Sequence, residues 1–529
     1  MQAIPGPPIF GAVQEPPMLG AVPPPYLYTG PKMPSKVEAE STENTFASMK
    51  SRITPMRVIV TTVCVVLTVV LFFVAMVVLL YGEQHLPPDT EGDFTPEPTK
   101  PPPLPEVRVI DRVASTASSP LPSPTSMATA PPTKPVLPAQ TPMTRFPMVC
   151  VFGTATNQSQ PLPADGVCDF TFYDGLYVDG LDTLQSPRFS APVEHVLGHA
   201  ALHSATQYGL SFDYRKKSEV AQDLEIPVGR SKIEELWTRG ICHYGFLSIE
   251  HAGQNDDQDF RDIIHVLASL HALLQMQRSH AAEASYLAIG LFLEDTDIKG
   301  ALDTMRQVYM PDLIIAHGHI GYDDRQFGTD CKMMYPTPFN SDGRYRESQL
   351  SAVAMLESIN YDTTSLAVSV ALFARRYKPA HPDPVTSSDA TGFLPGMQCT
   401  SFRGKYLIPV SQFCTNRDYL RNHRQDPFYT GRATFSKTRQ STILYDNEFT
   451  LAEKLCLTKE RHLGLSYGVA VYGLEYADHS GECPIVLRGA YARTRLAKAL
   501  VRFFESRPNV DNMFDCASIR PEAENSVRS

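Results

Sequence analysis

The chain has 529 residues, 43% of them hydrophobic and 20% charged, with a net charge of −10. That acidic balance excludes a basic nucleic-acid footprint, and the length excludes a single small domain. Of the 45 prolines, 28 fall in residues 1–147, so that first quarter cannot pack a core, whereas the remaining residues can.

Residues 1–57 read as a disordered, Pro-rich cytoplasmic tail. Pro7–Val13 recurs as Pro16–Val22, and Pro23, Pro24, Pro25 and Tyr26 follow as a PPxY string. Such a string resembles the polyproline ligand of WW domains, so a cytoplasmic WW-domain protein is a candidate partner. Residues 58–81, from Val58 to Tyr81, contain no charge. At about 1.5 Å per residue they reach roughly 36 Å, enough for one transmembrane helix. Lys50, Arg52 and Arg57 precede the span, and Glu83, Asp89, Glu91 and Asp93 follow it. The positive side stays inside, which predicts a type II signal-anchor protein with an outer carboxyl part, at the plasma membrane or in the Golgi membrane. Residues 82–147 are rich in Pro, Ser and Thr and read as a stalk.

Beyond the span stand nine cysteines, at 150, 168, 242, 331, 399, 414, 456, 483 and 516, without a CxxC pair or zinc spacing. An oxidising compartment makes disulfides the default, and the odd number leaves one thiol over. Asn157 heads the only N-glycosylation sequon there. Eight apolar runs are predicted strands: 148–153, 168–173, 207–212, 244–249, 286–293, 312–316, 366–373 and 467–474. Amphipathic stretches at 259–277 and 450–461 are predicted helices. This alternation predicts a (β/α)8 TIM barrel or a doubly wound sheet.

Four stretches carry a family resemblance. They are Val149–Gly153 with Val167–Phe170, Leu366–Arg375, Tyr406–Cys414, and Leu444–Glu448 continuing through Gly464–Asp478 to Cys483. In order and character they resemble glycoside hydrolase family 18, the chitinases and chitinase-like proteins, and among these the divergent arthropod type. The resemblance covers residues 148–505 and implies a (β/α)8 ectodomain with a small α+β insertion at about 376–440, leaving 506–529 as a tail. It also implies the disulfides Cys150–Cys168 and Cys414–Cys483.

The departures matter for function. The family's acid-bearing DxxDxDxE stretch is matched here by His243–His251, with every Asp gone. Glu250 is the vestigial acid candidate, one residue out of step. In a period-2 strand that shift turns the side chain to the other face. Without the Asp cluster, nothing raises the acid's pKa or steadies the intermediate of substrate-assisted chemistry. The Tyr and Asp expected after the sixth strand are replaced in Ala316–His319, and Tyr472 stands for the indole floor of the eighth strand. A catalytically inactive, glycan- or protein-binding barrel is therefore the expectation. Its cleft candidates are Tyr173, Phe212, His317, His319, Phe373, Arg375 and Tyr472, with a chitooligosaccharide as one candidate ligand. One alternative is a weakly active glycoside hydrolase on N-acetylglucosamine polymers using Glu250.

A second alternative comes from Asp295 and Asp297, a DxD after an apolar run. With an anchor and a stem, it also describes a Golgi glycosyltransferase holding a divalent metal. Nothing else in the sequence points to a metal or cofactor. His195, His199 and His203 share one helical face but lack a zinc signature, and read as packed histidines. Gly464–Gly468 matches GxSxG with helix and strand in the wrong order for a nucleophile elbow.

Overall fold

The computed structural model describes residues 141–520, apart from residues 158, 251–256, 279–283, 323–330, 342–345, 401–405, 427–429, 482, 487 and 511. The expected cytoplasmic tail with Pro23–Tyr26, the span at 58–81 and all but the last few residues of the stalk lie outside the described residues. Among the described residues no helix is long and apolar enough to cross a membrane.

All eight predicted strands form, and they close one parallel barrel. In chain order these are β1 (Met148–Phe152), β2 (Phe170–Leu176), β3 (Gln207–Phe212), β4 (Ile241–Ile249), β5 (Leu287–Leu291), β6 (Leu313–Ala316) and β7 (Ser365–Ala371), and the circle closes through β14 (Gly468–Tyr472). Each pairs in parallel with its neighbours, and β14 lies between β1 and β7. Closure excludes the doubly wound alternative, which keeps two open edges.

The strands are buried on both faces, which is why they read as nearly continuous apolar runs. One parity fills the barrel, with Val149, Val151, Phe172, Leu247, Ile315 and Tyr472. The other meets the surrounding helices, with Cys150, Leu210, Phe246, Ile289, Val368 and Val471. The helices are α1 (Ala191–Ala200), α2 (Lys217–Glu225), α3 (Pro227–Thr238), α4 (Asp257–Arg278), α5 (Asp295–Gln307), α6 (Gln349–Ile359), α7 (Arg417–Arg421), α8 (Glu448–Arg461), α9 (Ala492–Ser506) and α10 (Met513–Ala517). Asn447 caps α8 through a reciprocal box with Thr450, which fixes its first turn.

The insertion is wider than expected. Its antiparallel sheet is built on β8 (Ala374–Pro379) and includes β9 (Cys399–Thr400), β10 (Leu407–Ile408), β11 (Arg424–Asp426), β12 (Gly431–Ser436) and β13 (Ser441–Tyr445). Because β13 pairs with β8, the sheet needs residues on both sides of 376–440. The segment after Ser506, expected as a tail, instead carries α10, which is tied to α8 by Cys456–Cys516. Cys516 is fully buried, so the domain runs past 506.

Candidate functional site

A cavity of about 420 Å³ opens at the C-terminal ends of the strands. This is the end where barrel enzymes and binding proteins build sites, and the volume lies within the range of about 300–1,000 Å³ typical of small-ligand pockets. Asp174 comes from β2, Phe212 and Tyr214 from the end of β3, and Ser248 and Glu250 from the end of β4. Tyr322 follows β6, Tyr406 comes from the insertion, and Glu475 and Tyr476 follow β14.

Glu250 reaches this cavity despite its displaced position, which corrects the expectation that it turns to the other face. The register between β4 and β5 jumps from Phe246↔Ile289 to Ile249↔Leu291, three residues on one strand against two on the other. That extra residue is a β-bulge. Phe246 and Ile249 both face the helices, while Leu247 fills the barrel and Ser248 faces the cavity. Two consecutive inward residues restore the parity and bring Glu250 to the mouth. Its carboxylate lies over Gly321, where a Cβ would come within 2.8 Å of Oε1.

The bulge leaves backbone groups without ladder partners, and named side chains satisfy them. The Leu247 N–H donates to Ser211 Oγ at 2.9 Å. The Leu247 carbonyl accepts from the Tyr472 hydroxyl at 2.7 Å and from His317 Nε2 at 2.9 Å. His317 and Tyr472, expected in the cleft, are therefore placed beneath it. Tyr472 is fully buried, and neither residue lines the cavity. His319 shares that lower layer, bonded through Nδ1 to Ser369 Oγ at 2.6 Å and packed on the Tyr472 ring at 4.4 Å. Burial pushes His317 down to about 4 against the pull of the Leu247 carbonyl. It holds His319 well below its ordinary value as well, helped by His317 and Arg375. These rings are neutral struts.

The remaining cleft candidates divide by depth. Phe212 borders the cavity from the barrel–helix layer. Tyr173 lies in that same layer and does not line the cavity, because its parity on β2 is opposite to that of Asp174. Phe373 supports two cavity walls from behind, its ring 5.7 Å from Tyr322 and 6.0 Å from Tyr476. Arg375 is fully buried over the Tyr406 ring.

Two carboxylates that the sequence reading passed over complete the site. Asp174 accepts from Ser248 Oγ at 2.5 Å, and burial raises its pKa against the Ser211 and Ser248 hydroxyls. Glu475 is only 8% exposed. Its Oε2 accepts from the Gly153 N–H at 3.0 Å, and burial pushes its pKa up to about 7. Gly473, at φ 72°, turns the chain after β14 and brings Glu475 back over the mouth. A legible signal existed for Asp174: it follows the predicted strand at 168–173 by one residue, at the parity of Phe170 and Phe172.

Cys150 is bonded to Cys168, Cys414 to Cys483, and Cys331 to Cys399. Cys242 is buried and takes part in none of the disulfides among the described residues. Asn157 is exposed on the loop after β1. Asp295 and Asp297 occupy the first turn of α5, where carboxylates favour the helix dipole, rather than a metal-holding strand end. Among the described residues no group of three His, Cys, Asp or Glu side chains is arranged to hold a metal. His195, His199 and His203 pack edge to face along one side of α1 and the turn after it.

No family model and no curated protein matches the chain. The solved structures to which it is similar are chitinases and chitinase-like proteins. One is human YKL-39, described as a pseudo-chitinase with retained chitooligosaccharide binding, at 13% identity and a TM-score of 0.47, covering 66% of this chain and 97% of that one. Another is an immunomodulatory chitinase from Trichuris suis, at 11% identity and 0.48, covering 64% and 94%. A third is a chitinase-like agglutinin from Robinia pseudoacacia, at 11% and 0.47, covering 66% and 98%.

Proposed function

We propose that this chain is a chitinase-like carbohydrate-binding protein that does not hydrolyse its ligand, presented outside the cell by a single type II span. The observation that carries the reading is the cavity itself. Tyr214, Tyr322, Tyr406 and Tyr476 offer aromatic faces beside carboxylates, the combination that stacks on pyranose rings and accepts their hydroxyls. Inactivity is supported by the bulge, whose inward side chains Leu247 and Ser248 put no carboxylate next to Glu250 on β4. The membrane presentation rests on the apolar stretch from Val58 to Tyr81 and its charge asymmetry. That topology puts the exposed Asn157 sequon in the glycosylating compartment and Pro23–Tyr26 where a WW-domain protein can reach it. The plasma membrane is the proposed destination, with Golgi retention as the outcome that surface labelling distinguishes.

The second reading, a weak glycoside hydrolase, is favoured by the placement of Glu250 in the cavity. One experiment separates the two. The full chain is titrated with chitooligosaccharides by calorimetry, and the same mixtures are followed by mass spectrometry for cleavage, with Glu250→Gln as control. Binding without cleavage is expected. Cleavage that disappears in Glu250→Gln overturns the non-hydrolytic reading, and the absence of any sugar binding overturns the carbohydrate reading.

A further inference from the structure

We infer that an N-linked glycan on Asn157 stands at the rim of the cavity and screens its β1 side, so that the glycosylated protein favours short saccharides over chains that overrun the mouth. This rests on the carbohydrate-binding reading above and specifies how the ligand is selected. Thr154 and Ala155, on the loop after β1, line the cavity and are exposed, so they form its edge. Asn157 is exposed as well and follows Ala155 by two residues. Two residues of chain span at most about 7 Å, so a glycan on Asn157 is rooted within that reach of the edge.

The second observation is that this root is held in place. On one side, the Gly153 N–H donates to Glu475 Oε2 at 3.0 Å, and the Gly153 carbonyl accepts from the N–H and the Oγ1 of Thr156 at 3.2 and 2.7 Å. On the other, the Asn157 carbonyl accepts from the Gln160 N–H at 3.0 Å. Gln160 is fixed in turn: its Nε2 donates to the Leu474 carbonyl at 3.1 Å, and its own carbonyl accepts from His195 Nε2 at 2.9 Å. Asn157 Oδ1 accepts from the Ser159 N–H at 3.2 Å, a bond that uses the amide oxygen and not the nitrogen to which a glycan is joined. The disulfides Cys150–Cys168, Cys331–Cys399, Cys414–Cys483 and Cys456–Cys516 belong to an oxidising compartment, the kind in which Asn-x-Ser is glycosylated.

A glycan is bulky, hydrated and flexible. A saccharide contained in the cavity leaves it undisturbed. A longer chain has to cross the rim, and every register that crosses on the β1 side confines the glycan at a cost in conformational entropy. Asn157 heads the only sequon beyond the apolar stretch, so no other N-linked glycan screens the remaining sides.

The full chain is expressed in a secretory host, and occupancy of Asn157 is read by mass spectrometry. The N-acetylglucosamine dimer and hexamer are then titrated into it, and into the same protein after enzymatic removal of its N-glycans. Removal should tighten the hexamer about threefold or more and leave the dimer within about twofold. Asn157→Gln and Ser159→Ala, which abolish the sequon at different residues, should each reproduce that change. An unmodified Asn157 overturns the inference, as does a hexamer affinity that removal leaves unchanged or weakens; sugar binding in those cases leaves the carbohydrate reading intact. An equal gain for dimer and hexamer overturns the selection by length. Failure of both sugars to bind, with the glycan present and with it removed, overturns the carbohydrate reading as well. Enzymatic removal acts on the folded protein, so poor folding of either variant leaves the test standing.

Discussion

Two layers of the barrel mouth lie one beneath the other and use polar residues in opposite ways. In the lower layer, His317 and Tyr472 bind the Leu247 carbonyl and His319 binds Ser369. Each meets a protein group, and each ring is buried and neutral. In the upper layer, Asp174, Glu250 and Glu475 border open space. A polar residue at a strand end is therefore a site residue only when it also borders open space. The lower layer does act on function, at one remove: it holds the bulge that places Glu250.

The largest effect that tests this division is removal of the strut. Tyr472→Ala should cost about 3–5 kcal/mol of stability, the usual range for emptying a buried aromatic site, and more if the Leu247 carbonyl stays unpaired. Denaturant unfolding of the full chain measures it. A loss below about 1 kcal/mol would show that the lower layer is not a structural support.

The two layers also predict opposite pH slopes. A buried histidine whose folded pKa is depressed makes stability rise with pH, here between about 4 and 6.5 for His317. Burial raises the folded pKa of Glu475 to about 7, against an ordinary value of 4.5. Its contribution is present below 4.5 and is lost as pH rises toward 7. Glu475→Gln should therefore stabilise the protein at pH 8, by roughly 2–3 kcal/mol, and steepen the rise of Tm between about pH 4.5 and 7. An unchanged Tm–pH profile would remove Glu475 from the buried, uncompensated class.

The barrel was readable because all eight strands are apolar on both faces, and the run from Gln207 to Phe212 coincides with β3 at both ends. The site was less so. The parity rule that moved Glu250 out of the mouth is sound for a regular strand, and it failed because a bulge inserts one inward residue at 247–248. No residue type on β4 announces that bulge; it is stabilised by side chains from β3, β6 and β14 that only the closed barrel brings together. Glu475 was missed for a similar reason, since a left-handed turn at Gly473 redirects the chain after the strand. His317 and Tyr472 were rightly placed at strand ends, but depth is not written in a strand's periodicity.

A finer cut through the same contact is Tyr472→Phe, which keeps the ring and removes the hydroxyl that donates to Leu247. About 1 kcal/mol of stability should be lost, the net worth of one buried hydrogen bond, because His317 still satisfies the carbonyl. His317→Ala alone should likewise leave the carbonyl with one donor, whereas the double variant leaves it with none. The double loss should exceed the sum of the singles, and additive values would show that the two donors do not share the bulge.

The smallest effect on stability belongs to Glu250→Gln. The side chain is half-buried and sits at the rim, so the isosteric amide should change unfolding free energy by no more than about 0.5 kcal/mol. Sugar binding should respond instead, as one carboxylate of the cavity loses its charge. The pairing of these two readouts is what distinguishes the layers. A residue of the lower layer changes stability first and binding as a consequence; Glu250, at the rim, changes binding alone. If Glu250→Gln destabilised the fold as much as Tyr472→Phe does, the bulge would owe its form to Glu250 rather than to the struts beneath it, and the depth boundary would have to be drawn above the carboxylate.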